Sequence, residues 1–144
     1  MRFTHHDLSI DLEDDWWAEA EMPGFVRASN AYRADPSFAK DEPILEIPIA
    51  DIGPVHRSVG IFRNSEDGIP ARERVLKILR GFRQGDAIPP IQVVECKSGS
   101  AHRYKLTAGT HRLYCSLAAG FTHVPAVKGF DWGSIGVHRP NSFS

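Results

Sequence analysis

The chain is short of the features that would commit it to several protein classes. It has two cysteines, Cys96 and Cys115, in 144 residues, too few for a disulfide framework, so a reducing compartment is expected. No apolar run approaches the roughly 18 residues that a membrane-crossing helix needs. The polar N-terminus carries no signal-peptide pattern. Together these lead us to expect a soluble, cytoplasmic, single-domain protein with no membrane partner. A net charge of −1 and a pI near 6.6 leave no global field toward nucleic acid or an acidic membrane. The seven histidines, His5-His6, His56, His102, His111, His123 and His138, are scattered. With no Cys-x-x-Cys or His-Glu-x-x-His spacing, no transition-metal site is expected. No carboxylate cluster has the spacing of a metal-dependent nuclease, and no repeat or low-complexity tract interrupts the chain. What is present is ordinary for a globular domain: 42% hydrophobic and 24% charged residues.

The chain divides into three stretches. Residues 1–42 form an acidic arm, with Asp7, Asp11, Glu13, Asp14, Asp15, Glu19 and Glu21 around Trp16-Trp17. Leu12, Trp16 and Ala20 recur every four residues, which predicts a short helix starting near Ser9 and ending at Pro23-Gly24. The simple expectation is an arm that docks its tryptophans on the core. The sharper one is a lid over the site, or a contact with a second chain in a homodimer. Residues 43–128 carry the periodic elements, and residues 129–144 form a Gly/Ser-rich tail without clear period.

A helix is predicted over Pro70–Arg83. Pro70 suits the first helical position, and Val75, Leu79 and Phe82 put one face toward a core. Arg74, Lys77 and Arg80 fall three apart on another face, and Gly85 follows as a cap. Strands are predicted at Ile91–Cys96 and near Tyr104–Thr107, joined by the polar hairpin loop Lys97–Arg103.

The most informative segment is Thr107-Ala108-Gly109-Thr110-His111-Arg112, between that strand and an apolar helix, Leu113–Ala119. Gly109 permits a tight turn, and Thr110 is a good helix N-cap. Helix amides gather there at the positive end of the dipole. His111 and Arg112 add donors, and Arg112 is able to grip a phosphate with two parallel bonds. The sum predicts an anion site suited to phosphate. The plainer alternative is a structural turn bearing a surface arginine.

This arrangement resembles the ParB/sulfiredoxin-like superfamily, whose members carry a Gly-x-x-Arg or Gly-x-His-Arg turn before a helix. The helix leads through a glycine to an Ile/Val-Pro strand, here Gly120-Phe121-Thr122-His123-Val124-Pro125. Upstream, Ile44–Pro54 looks like the family's opening strand and Pro turn. Arg72–Gly85 looks like its first helix, and Ile88-Pro89-Pro90-Ile91-Gln92-Val93 like its Pro-Pro-Ile-x-Val strand. The resemblance implies an α/β (α+β) ParB/sulfiredoxin-like compact domain, a small mixed sheet with two main helices. It also implies a nucleoside tri- or diphosphate, ATP or CTP, with Mg²⁺. The phosphates would be held by Gly109, Thr110, His111 and Arg112, helped by Arg74 and Lys77. A solvated helix face is the alternative for Arg74, Lys77 and Arg80. His56 or Arg57 would border the pocket after the first strand.

Three functional expectations follow from the resemblance. Sulfiredoxins carry a repairing Cys where this chain has Thr110, and a hydroxyl cannot replace a thiolate, so sulfinic-acid repair is excluded. Cys115 is expected to be a core residue. ParB proteins place a helix-turn-helix downstream, but only residues 128–144 follow the last expected strand, so a stand-alone member is expected. Some stand-alone members are small-molecule kinases. A phosphotransferase or nucleotide hydrolase acting on a small second substrate would need a carboxylate base. Glu46, Asp51, Glu66, Asp67 and Glu73 are the candidates, and Glu73 and His111 are assigned to catalysis. The alternatives are a nucleotide-gated adaptor, plasmid- or phage-associated, that contacts DNA or protein, and a degenerate member that binds nothing small.

Overall fold

In the computed structural model, residues 1–39, 41–56 and 71–129 are described. The first departure from the sequence expectation comes at once. In place of a helix from Ser9, the chain opens with an antiparallel hairpin of β1 (Arg2–His5) and β2 (Leu8–Asp11). Leu8 and Ile10 are buried while Ser9 and Asp11 are exposed, a period of two that continues to buried Leu12. That alternation overrides the four-residue spacing, and His6, at φ 57°, makes the turn. The helical part is short: α1 covers Asp14–Glu19. Leu12, Trp16 and Ala20 are all buried nonetheless, because α1 carries the stripe onward from the end of β2. Trp16 joins the same cluster as Val75, Leu79 and Leu113, with Trp17 packed against it.

The second sheet has four strands. β3 (Leu45–Pro48), β4 (Ile91–Glu95), β5 (Tyr104–Ala108) and β6 (His123–Lys128) lie in the order β3-β6-β4-β5. β3 runs antiparallel to β6, β4 parallel to β6, and β4 antiparallel to β5. The sheet is therefore mixed. β4 and β6 occupy its centre, and seven of their residues, Ile91, Val93, Val94, Val124, Pro125, Ala126 and Val127, are buried, as expected for strands covered by helices. A short 3-10 turn, Ile49–Asp51, follows β3.

Two longer helices complete the domain. α2 runs Ala71–Gln84, and its apolar face buries Val75, Leu76, Leu79 and Phe82; Pro70 lies outside the described residues. α3 runs Thr110–Ala118 and buries Leu113, Tyr114, Cys115 and Ser116. Gly81 sits inside α2 because Ile88 presses on it: a Cβ there would stand 2.9 Å from the Ile88 Cδ1. Fully burying one such aliphatic side chain contributes about 1.5–3 kcal/mol, and one buried cluster joins the hairpin, α1, α2, α3 and the second sheet. The architecture is a small mixed α+β domain with three α-helices and two sheets among the described residues. No helix among them is long and apolar enough to cross a membrane.

Candidate functional site

The chain leaves β5 at Ala108 and enters α3 at Thr110, so Gly109 alone makes the corner. Its φ of 101° lies in the left-handed region. A Cβ on Gly109 would also stand 2.8 Å from the Ile91 Cγ2 and 3.1 Å from the Arg112 Nη2. Two independent constraints thus require glycine. They also correct one expectation: Gly109 is the helix N-cap and Thr110 the first helical residue, and no side chain caps the helix. The reversal of direction needs a positive φ at the cap position, which a threonine there would resist. The first intrahelical bond runs from the Leu113 N–H to the Gly109 carbonyl at 2.9 Å. The amides of the preceding turn lie at the positive end of the dipole.

Arg112 is held differently from the expected phosphate fork. Its Nη1 donates to the carbonyl oxygens of Pro89 (3.2 Å) and Pro90 (3.0 Å). The Pro89 carbonyl also accepts from the Tyr32 hydroxyl at 2.6 Å. Burial pushes the Tyr32 phenol up, and the nearby Arg112 charge pulls it partly back. Arg112 therefore pins the start of α3 to the Pro-Pro segment while its Nη2 lies against Gly109.

The turn opens onto a cavity of about 910 Å³. Gly109, Thr110, His111 and Arg112 line one part, with Thr107 and Ala108 from the end of β5. Arg74, Lys77, Ile78 and Gly81 of α2 line another, and Phe38 with Asp86–Pro89 closes it. The six residues expected to bind a nucleotide thus share one cavity, within the roughly 300–1,000 Å³ typical of ligand sites. Three cations, Arg74, Lys77 and Arg112, line the cavity with one carboxylate, Asp86. A chain whose net charge is −1 concentrates positive charge here. The wall around Phe38 comes from the N-terminal arm. The Ile88 N–H donates to the Arg33 carbonyl (2.9 Å), and the Asp35 N–H donates to the Ile88 carbonyl (2.8 Å).

The proposed catalytic carboxylates fall elsewhere. Glu73 lines an adjoining groove with Glu19, Arg72 and Arg80, where Arg72 pairs with Glu19, and this groove shares Lys77, Gly81 and Asp86 with the cavity. One helical position separates Glu73 from Arg74, and about 100° of helix rotation carries it round to the α1 side. Glu46 on β3 and Asp51 in the 3-10 turn do not line the cavity either. Glu66, Asp67 and Arg57 lie outside the described residues. His111 does line the cavity. The basic face of α2 is divided: Arg74 turns to the cavity, Arg80 to the groove beside Glu19, and Lys77 borders both. Two residues of the wall, Asp86 and Phe38, were not singled out from the sequence. Asp86 follows the α2 cap and looks there like an ordinary turn acid, and Phe38 carries no spacing signal in the arm.

His56 was expected beside the turn. It stands instead on a second cavity of about 710 Å³, with His6, His102, Cys96 and Tyr104, and its Nε2 is 3.6 Å from Asp7. Beneath that cavity a buried relay ties three elements together. The His5 Nε2 lies 3.1 Å from the Ile49 carbonyl, which only accepts, so the network assigns the proton to Nε2. His5 Nδ1 then accepts from the Tyr114 hydroxyl at 2.9 Å, and that oxygen accepts from the Val55 N–H at 3.0 Å. Burial first, then the neighbouring His6 and His102, hold the His5 pKa below its usual value. Cys115 is fully buried, and burial pushes its thiol up, which makes it an inert core group. Among the described residues, no group of three His, Cys, Asp or Glu side chains is placed to hold a metal ion.

Compared with protein-family models and with curated proteins, the chain matches none.

Proposed function

We propose that this domain binds a nucleotide in the cavity at the β5–α3 turn. The phosphates lie at Gly109–Arg112, and Arg74 and Lys77 neutralise their outer charge. The observation that carries the reading is the convergence of the turn and the α2 cations on one cavity. A helix N-terminus with nearby Arg and Lys donors suits phosphate on both dipole and hydrogen-bond grounds. The likeness of the Gly-Thr-His-Arg turn to ParB/sulfiredoxin-like domains supports the same reading, and we propose that fold relationship with it. Mg²⁺, on this reading, arrives with the phosphates and keeps most of its waters, since it is commonly held by substrate phosphates and one or two carboxylates. Asp86 is the one carboxylate among the described residues that lines the cavity. Among the described residues, the carboxylate placed for phosphotransfer or hydrolysis is Asp86, because Glu73 lines the adjoining groove. Binding is therefore the function the geometry supports best, and turnover is a separate question put to Asp86. A DNA-contacting adaptor is disfavoured because Arg80 and Lys77 share their groove with Glu19 and Glu73.

A second reading has its own observation. The bonds from Arg112 to Pro89 and Pro90 would serve a purely structural turn equally well. Thermal unfolding with ATP, ADP, CTP and GTP, each with and without Mg²⁺, separates the two. Binding at 100 times Kd adds about 2.7 kcal/mol to stability. The nucleotide reading predicts stabilisation by at least one nucleotide, lost in the Arg74→Ala/Lys77→Ala double variant. No stabilisation by any of them leaves the turn as structure.

A further inference from the structure

The cavity's outer wall carries a feature that phosphate binding does not require. Phe38 is 59% exposed, and every other Phe, Tyr or Trp among the described residues is buried or half-buried. A ring left in water forgoes the stabilisation that burial gives its neighbours. Yet the backbone that carries Phe38 is held by hydrogen bonds. It ends the 3-10 turn Pro36–Phe38, where the Asp35 carboxylate accepts from the Ser37 N–H (3.0 Å) and the Ser37 hydroxyl (2.7 Å). Those two bonds hold the Asp35 pKa below the usual carboxylate range. The Ala39 N–H closes the turn on the Pro36 carbonyl at 3.1 Å. Asp35 is stitched in turn to Ile88, which lines the same cavity.

One cavity therefore has an exposed aromatic ring in one part of its wall and a helix N-terminus with three cations elsewhere in it. A nucleotide has the matching division, a flat base with two π-faces and an anionic tail. We propose that Phe38 is the base platform of this site, stacking on the nucleobase of the nucleotide whose phosphates lie at Gly109–Arg112. The assignment rests on the nucleotide reading and adds to it the residue that makes a nucleotide a better ligand than phosphate alone. Stacking on one ring face is tolerant of base identity, because every base has a π-face. Phe38 thus contributes affinity for nucleotides as a class, and base choice falls to other groups of the wall.

The test is titration calorimetry of the full chain, as wild type, Phe38→Ala and Phe38→Trp, with ATP, CTP and inorganic tripolyphosphate. Circular dichroism melts confirm that each variant is folded, which an exposed position should permit. Phe38→Ala is expected to weaken ATP and CTP roughly 5- to 150-fold, the range that removing one base–aromatic stack produces. Tripolyphosphate affinity should stay the same, and Phe38→Trp should restore nucleotide binding. Wild-type affinity for ATP and CTP in Phe38→Ala, or an equal loss for tripolyphosphate, overturns the base platform and leaves the nucleotide site standing. Wild type binding tripolyphosphate as tightly as ATP and CTP overturns it as well. Failure of the wild-type chain to bind any of the three removes the nucleotide reading itself, and the platform with it.

Discussion

Gly109→Ala is the most revealing single substitution in this chain, because two separable penalties meet at one residue. A non-glycine side chain at a left-handed φ of 101° costs about 1–2 kcal/mol. The new Cβ would then stand 2.8 Å from the Ile91 Cγ2 and 3.1 Å from the Arg112 Nη2. Overpacking of that kind adds about 1–3 kcal/mol. The sum is roughly 2–5 kcal/mol, or a fall in Tm of roughly 6–20 °C for a chain of this size. Gly85→Ala is the control. Gly85 also has a positive φ, 75°, but a Cβ there meets nothing within 4 Å. It should cost only the backbone part, about 1–2 kcal/mol, and both variants gain equally from a stiffer unfolded chain. Urea denaturation of the two variants measures the difference directly, and Ile91→Ala in the Gly109→Ala background should recover part of it through relief of the clash. Equal losses in Gly109→Ala and Gly85→Ala would refute the close packing of β4 against the turn, and with it the geometry of the cavity floor.

Other expectations follow from the same contacts. Arg112→Ala should destabilise by about 1.5–3 kcal/mol, the scale of hydrogen bonds to a charged group, read by urea denaturation. Arg74→Ala and Lys77→Ala, on exposed positions, should leave stability unchanged. The His5 pKa is held below its unfolded value of about 6.5, so folding favours the neutral ring. That contribution is fully present above pH 6.5 and is lost as pH falls through the lower folded pKa. Stability measured against pH should therefore decline on the acid side of 6.5, and His5→Gln should flatten the decline. Trp16→Ala should cost about 3–5 kcal/mol by urea denaturation, and Trp17→Ala distinctly less, since only Trp16 is buried. Thiol titration of the native protein should report rapid reaction at the half-buried Cys96 and none at buried Cys115 until denaturant is added.

The parts legible in the sequence were those with a strong local signal. The face of α2 follows from Val75, Leu79 and Phe82, and the corner at Gly109 from a glycine set between a strand and an apolar helix. The convergence of Arg74 and Lys77 with that corner was reached through a family resemblance rather than from spacing. The first residues misled because Leu8, Ile10 and Leu12 carry a period of two while Leu12, Trp16 and Ala20 carry a period of four, and both are real. The chain changes period at Leu12, where the hairpin ends and α1 begins. The Arg112 bonds to the Pro89 and Pro90 carbonyls were not legible, because those acceptors lie more than 20 residues away and carry no sequence mark. Glu73 was misplaced by one step of helical rotation. Phe38 escaped notice because it carries no spacing signal in an arm with five other aromatics, Phe3, Trp16, Trp17, Phe25 and Tyr32.

The central claim is a location, so the most direct measurement is a titration of the ¹⁵N-labelled chain with ATP and with CTP, in Mg²⁺, read amide by amide. The account predicts that the backbone amides from Gly109 to Leu113 shift together with those of Arg74 and Lys77, along one saturating curve. Shifts confined to the second cavity around His6 and His102, or none at saturating nucleotide, would contradict it.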